Sequence, residues 1–295
     1  MNTFSKILLI NFCSMVLLVG CGSGGPGKDK VNPTVPPTET PVVEPVDPPI
    51  TPINDTDMVN VPAGEFTMGC DIENKDLCTN SKPAHKVYLD GFKIDKYKVT
   101  YRRYNLCIEE GDCSKLFTGS GCNAEMPWNS DHPVNCVDYK QAEEFCAFDN
   151  KRLLTEAEWE KAARGTDGRI FPWGNESATC DLAVMNQKLN GETMGPGCGA
   201  GTTKPVGSRP KGASPYGAMD MAGNLFEWTS DWFSFEYFKS SPTRNPKGPE
   251  TGEHKVLKGS SWLIRSDTGA ASNLRTNYSP LGQGYVVGFR CGSDM

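Results

Sequence analysis

The chain has 295 residues, a formal net charge of −6 and 37% hydrophobic residues, enough for one large domain or two small ones. Six Trp, nine Tyr and thirteen Phe can fill a core, which excludes a disordered chain, and the acidic balance argues against a nucleic-acid groove. Three histidines, His85, His132 and His254, lie too far apart for an HxH or HExxH metal motif.

The N-terminus reads as an export signal. Lys6 supplies a positive start, and the apolar stretch Ile7 to Gly20 is too short for a membrane-spanning helix. It ends in Leu18-Val19-Gly20-Cys21, which resembles a bacterial lipobox. The resemblance implies a signal peptide over residues 1–20, cleavage before Cys21, and acylation of its thiol and new amine; the plainer alternative is an ordinary signal peptide with a chance cysteine. Several acyl chains, at about 0.8 kcal/mol per buried methylene, would hold the protein on a lipid bilayer without a spanning helix. Gly22 follows Cys21 where an inner-membrane retention Asp would stand. The expected location is therefore the cell envelope, at the outer membrane or cell surface in a Gram-negative host. Residues 21–57 read as a tether, because nine of the 22 prolines fall between Pro26 and Pro52. Proline lacks a backbone donor and fixes φ, so this stretch resists helix and sheet. At polyproline-like extension its reach is on the order of 100 Å.

Twelve cysteines, less Cys13 in the leader and Cys21, leave ten in the body. An even number in an exported chain suggests up to five disulfides. A zinc site is not expected, since no Cys-x2-Cys pair occurs.

Residues 58–295 read as one domain. Met58 to Gly69 alternates apolar residues and ends in turn formers, which predicts a pair of strands in a hairpin. Val87 to Ile94 predicts a second alternating strand with a turn at Asp90-Gly91. Thr100 can cap a helix to about Glu110, closed by Gly111. Asp138 with Gln141 forms a capping-box pattern for a helix through Phe148, and Thr155 with Glu158 one for Glu156 to Arg164, stopped by Gly165. After Gly165 no helix signal remains; Gly, Pro and Asn punctuate the chain, with short strands at Lys255–Lys258 and Val286–Arg290.

Several segments, in order, resemble the formylglycine-generating enzyme (sulfatase-modifying factor) family. They are Val61-Pro-Ala-Gly-Glu-Phe-Thr-Met-Gly69, Lys151-Arg-Leu-Leu-Thr-Glu-Ala-Glu-Trp-Glu160, Phe171-Pro-Trp-Gly174, Asp220-Met-Ala-Gly-Asn-Leu-Phe-Glu-Trp228 and Gly288-Phe-Arg290. The resemblance covers residues 58–295 and implies a loop-rich α+β domain, related to C-type lectins, with little regular structure. The aerobic enzymes of that family oxidise a sulfatase cysteine with copper(I) on two thiolates, both ligand and metal being soft. In the matching stretch, Gly259-Ser-Ser-Trp-Leu-Ile-Arg-Ser-Asp-Thr-Gly269, Ile264 and Gly269 stand where the two cysteines belong, and no cysteine occurs between Cys198 and Cys291. Copper and the oxidase reaction are therefore not expected. The helical His-x3-His-x-Glu domain of the iron-dependent, carbon–sulfur-bond-forming members is absent as well.

The resemblance implies a disulfide between Cys146 and Cys291, closing a loop of about 145 residues for several kcal/mol in the chain-entropy model. It also implies a calcium ion held by the Asp220 and Glu227 side chains and the Gly223 and Leu225 carbonyls, a hard-oxygen set; the plainer reading makes Asp220 and Glu227 turn and surface carboxylates. A second family calcium site is lost near Val184 and Cys198, where a Cys180–Cys198 bridge could replace the ion. Cys70 and Cys78 read as a short-loop pair. Local pairs are expected among Cys107, Cys113, Cys122 and Cys136, in an order the sequence does not fix.

The leading expectation is a non-catalytic binding or structural module, with no catalytic residue assigned and an unidentified protein, peptide or glycan as ligand. Trp262, Arg265, Asp267, Asn273, Arg275, Asn277 and Tyr278 would rim the groove in which catalytic members hold a peptide, by stacking and adaptable hydrogen bonds. Trp262, aromatic throughout the family motif, also reads as framework, and Arg275 could be. One variant is a retroelement-diversified surface protein whose variable segment is Leu263 to Val287. The enzyme alternative is an unknown reaction using Glu156, Glu158 and Asp231, or Ser260 and Ser261 with His254.

Overall fold

The computed structural model describes residues 54–72, 75–78, 80–125, 130–189, 192–265 and 269–295. The leader, Cys21 and the tether up to residue 53 lie outside the described residues, as does Asp267.

Capping chemistry sets the helices. The Thr100 side chain accepts from the Arg103 amide and starts α1 (Tyr101–Glu110), which Gly111 ends at φ 88°. Asp138 and Gln141 close a capping box on α2 (Tyr139–Phe148), and Thr155 and Glu158 close one on α3 (Glu156–Arg164). After Gly165, short 3-10 turns stand at Pro210–Gly212 and Tyr237–Lys239.

The strands are short and their pairing is long-range. They are β1 (Met58–Val61), β2 (Gly64–Met68), β3 (His85–Leu89), β4 (Phe92–Asp95), β5 (Arg152–Leu153), β6 (Gln187–Leu189), β7 (Glu192–Gly195), β8 (Phe226–Trp232), β9 (Lys255–Lys258), β10 (Thr276–Tyr278), β11 (Val287–Gly288) and β12 (Cys291–Asp294). One sheet has the order β1-β4-β12-β5 and a second β10-β9-β8-β11; β2-β3 and β6-β7 form two-stranded pairs. The expected β1–β2 hairpin does not form. Met58 lies opposite Asp95 and Val61 opposite Phe92, whereas Gly64 faces Leu89 and Met68 faces His85. The alternation placed the strands, but period 2 assigns a face and not a neighbour. Pro62-Ala63 turns the chain from one sheet into the other, which lets Phe66 and Met68 be buried with Val87 and Leu89.

The folded body begins before Met58, so the end of the expected tether belongs to the domain. Asp55 is buried, accepts from Thr100 Oγ1 at 2.6 Å and pairs with Arg102 at 3.0 Å; its carbonyl accepts from Arg103 Nη1 at 2.9 Å. Composition does not reveal this anchoring, because its partners are the cap and first turn of α1.

Two large apolar clusters form the core, and α3 contributes to the second. One gathers Tyr104, Phe145, Trp228 and Phe289, and the other Phe66, Phe92, Trp159 and Met221. All nine residues of α3 are buried, its five charged side chains included. A helix closed in on every side must pair its charges internally, and this governs the site described next. Five disulfides fix the loops: Cys70–Cys78, Cys107–Cys113, Cys122–Cys136, Cys146–Cys291 and Cys180–Cys198. With these, all ten cysteines of the body are paired.

Candidate functional site

The segment from Gly259 to Arg265 is held as a wall by backbone hydrogen bonds from two loops. Gly223 N donates to Gly259 O at 2.6 Å and Trp262 N to Asn224 O at 2.9 Å. On the other side Gly197 N donates to Trp262 O at 2.8 Å and Asn186 N to Ile264 O at 3.1 Å. Two glycines make the crossing possible. Gly223 has φ +79°, and a Cβ there would lie 2.4 Å from Val184 O; Gly259 has φ +89°, and a Cβ there would lie 2.8 Å from Trp159 Cζ2.

Behind this wall is a cavity of about 260 Å³ lined by Phe226, Leu257, Ile264 and Leu274, with Ser260 and Thr276 among its polar groups. A volume of this size suits one side chain or one small ring. Ile264 and Gly269 both face it and are neighbours: a Cβ built on Gly269 would lie 2.6 Å from Ile264 Cγ2. The two positions that the resemblance matches to cysteines are therefore neighbours, and the Ile264 side chain, 37% exposed, lies against Gly269.

The expected rim divides. Trp262 is 7% exposed and packs with Val184 and Leu225. Asn273 is buried and donates to Leu77 O at 2.6 Å and Ser81 Oγ at 3.1 Å. Arg275 is 3% exposed and binds Glu156 through two bonds, Nε–Oε1 at 2.8 Å and Nη2–Oε2 at 2.7 Å, between the rings of Phe233 and Phe238. Trp262 and Asn273 are buried framework; Arg275, pinned to Glu156 by two bonds, nevertheless lines the small cavity. Arg265 and Tyr278 are exposed and Asn277 is half-buried. The segment considered for diversification thus carries fixed interior residues as well as surface ones.

The expected calcium donors lie in a buried charge cluster. Glu227 Oε1 accepts from Lys98 Nζ and, at 3.0 Å, from Arg290 Nη2; Oε2 accepts from Arg290 Nε at 2.7 Å and Trp159 Nε1 at 3.0 Å. Asp220 Oδ2 accepts from Gly207 N at 2.6 Å. Lys98, Glu227 and Arg290 are at most 1% exposed. Burial pushes the Lys98 amine down to about 8 despite Glu227. Burial also pushes Glu227 up, but Arg290 and Lys98 outweigh it and hold the carboxyl low. Asp220 is raised by burial. Calcium binding through Glu227 would set a divalent ion beside two fixed positive charges in a closed volume. The donors as arranged do not fit it, and the plainer reading of surface carboxylates does not fit either. Among the described residues no three His, Cys, Asp or Glu side chains converge as a metal site.

Of the carboxylates considered for catalysis, Glu156 and Asp231 face inward. Glu156 and Asp231 adjoin at the start of α3, where Glu156 N donates to Asp231 Oδ2 at 2.8 Å, and both are buried. Burial and then the Glu156 charge raise Asp231 to about 7. Glu160 pairs with Lys258 at 3.1 Å and with Arg164 at 3.2 Å. Glu158 holds Arg152 through two bonds at the edge of a larger open groove of about 810 Å³, which none of the expected rim residues lines. Ser261 Oγ is buried without a partner, and His254 is exposed. Lys98 and Lys258 were not legible as site residues, whereas Glu160 ends the Lys151–Glu160 motif; Lys98, between Tyr97 and Val99, reads like any solvent-facing position of an extended segment. Arg290 carried a signal, as the last residue of Gly288-Phe-Arg290.

A loop-rich α+β body, stapled by five disulfides, with a small pocket behind a Gly-Ser-Ser-Trp wall and a buried Glu-Arg pair, defines a sulfatase-modifying-factor domain. The model of the sulfatase-modifying factor enzyme 1-like domain matches residues 47–295, and the chain belongs to that family. It is 31% identical to the formylglycine-generating enzyme of Mus musculus, over 82% of this chain and 76% of the mouse protein. It is also 31% identical to hercynine oxygenase of Mycolicibacterium smegmatis, over 70% of this chain and 54% of that one. Among solved structures, PvdO from Pseudomonas aeruginosa superimposes with a TM-score of 0.67 at 28% identity, covering 81% of this chain and 94% of PvdO. The scaffold thus serves relatives of different roles, and fold does not select among them.

Proposed function

We propose that this chain is an envelope-anchored binding or structural module that keeps the sulfatase-modifying-factor scaffold without its copper oxidase chemistry. The observation that supports the reading is the Ile264–Gly269 contact: the two positions that the resemblance matches to cysteines are neighbours, and neither side chain offers a thiol. Copper(I) needs soft thiolates, and the body cysteines are all engaged in disulfides. The ligand would be a protein, peptide or glycan whose one small apolar group enters the pocket, with Asn80, Ser260 and Thr276 beside it. Acylated Cys21 and the proline-rich tether would carry this body on the bilayer.

Two measurements test the reading. Purified body incubated with copper(I), oxygen and a sulfatase-derived cysteine peptide should yield no aldehyde by mass spectrometry; formation of formylglycine would sink the proposal. Full-length protein expressed in a bacterial host with labelled fatty acid should incorporate label, and Cys21→Ala should not; equal labelling of both would remove the anchor.

A further inference from the structure

The Asp220–Glu227 cluster balances its charge without any bound ion. Lys98 and Arg290 contribute two positive charges, Asp220 and Glu227 two negative ones, and the cluster is closed to solvent. The two cations differ in what else they do. Arg290 also donates to the carbonyls of Asp95 and Lys96, both at 3.2 Å, and of Met219 at 2.7 Å, so it ties three segments together. The Lys98 ammonium is a compact point charge that bonds to Glu227 and lies within electrostatic reach of Asp220. It thus bonds one of the two carboxylates to which the resemblance assigns a divalent ion and feels the charge of the other.

We propose that the Lys98 ammonium is the resident cation of this site, a covalently supplied substitute for calcium that makes the folding of this domain independent of the metal. The same elements are held together: Lys98 follows β4, Asp220 closes the loop before the Gly-Asn turn, and Glu227 lies on β8. A metal ion must be captured from solution and is lost to chelators. A lysine is always present, and the carboxylates around it offset part of its burial cost.

The test uses the purified full-length chain, with melting temperature and calcium titration calorimetry as readouts. Wild-type protein should melt at the same temperature in EGTA and in about 10 mM calcium, a concentration that saturates even weak extracellular calcium modules. Lys98→Ala removes the amine and its volume, leaving a net charge of −1 beside Arg290. It should melt lower than wild type in EGTA and gain about 5–10 °C when calcium reaches a hundredfold excess over its dissociation constant. A variant recovered folded only when calcium is present counts as the same response. Three results would overturn the proposal. One is a calcium-dependent rise of the wild-type melting temperature that Glu227→Gln removes. Another is a folded Lys98→Ala indifferent to calcium. The last is a Lys98→Ala that stays unfolded even with calcium.

Discussion

Replacing Arg275 by alanine separates an interior role from a ligand-binding one. The guanidinium gives Glu156 two bonds, at 2.8 and 2.7 Å, donates to Ser234 O at 2.9 Å, and lies 4.7 and 4.3 Å from the centroids of Phe233 and Phe238. Without it, Glu156, 1% exposed, would keep Lys258 only at 3.8 Å and would still face Asp231. Breaking a buried pair from one side costs about 3–5 kcal/mol. At about 2–4 °C per kcal/mol for a domain of this size, the melting temperature should fall by about 6–20 °C. Urea unfolding followed by tryptophan fluorescence and a thermal scan would measure both quantities. The pair Arg275→Met with Glu156→Gln should recover most of the loss, because removing both charges leaves none buried alone. A loss below about 1 kcal/mol for Arg275→Ala, the size of an exposed ion pair, would refute the interior assignment.

Three further outcomes are expected. Cys146→Ser with Cys291→Ser opens a loop of 145 residues and should cost about 5 kcal/mol in the chain-entropy model, measured by urea unfolding; a cost within about 1 kcal/mol of zero would show that the C-terminal strand holds without its staple. His132, bonded to Thr203, is held down to about 4 by burial and then by Lys204, below its unfolded value of 6.5. The unfolded chain therefore binds the extra proton, so this stabilisation is present above pH 6.5 and lost as pH falls towards 4; His132→Gln should flatten that part of the stability profile, and an unchanged slope would contradict it. Asp231 behaves oppositely. Its folded value of about 7 lies above the unfolded 3.8, so the folded state keeps a proton the unfolded chain releases, and stability from this group falls as pH rises from about 4 to 7. Asp231→Asn retains an acceptor for the Glu156 amide and should abolish that fall in a pH series of melting curves; a parallel profile would count against the assignment.

Local chemistry determines much of this protein's secondary structure. A cap acts on residues three positions away, so Thr100, Asp138 and Thr155 fixed the three helix starts, and Gly111 and Gly165 fixed two ends. The ordered motifs gave the family, and the sequence carries no cysteine between Cys198 and Cys291 whatever the fold. Tertiary structure decided the strand partners, which alternation leaves open, and the fate of the charges. Arg275 and Asn273 have the composition of a binding rim, yet Glu156 lies 119 residues from Arg275 in sequence, and Leu77 lies 196 residues from Asn273. Lys98 meets Glu227 across 129 residues. Whether a charged side chain faces water or a partner depends on which distant segments close over it, and that information belongs to the packed chain rather than to any stretch of sequence.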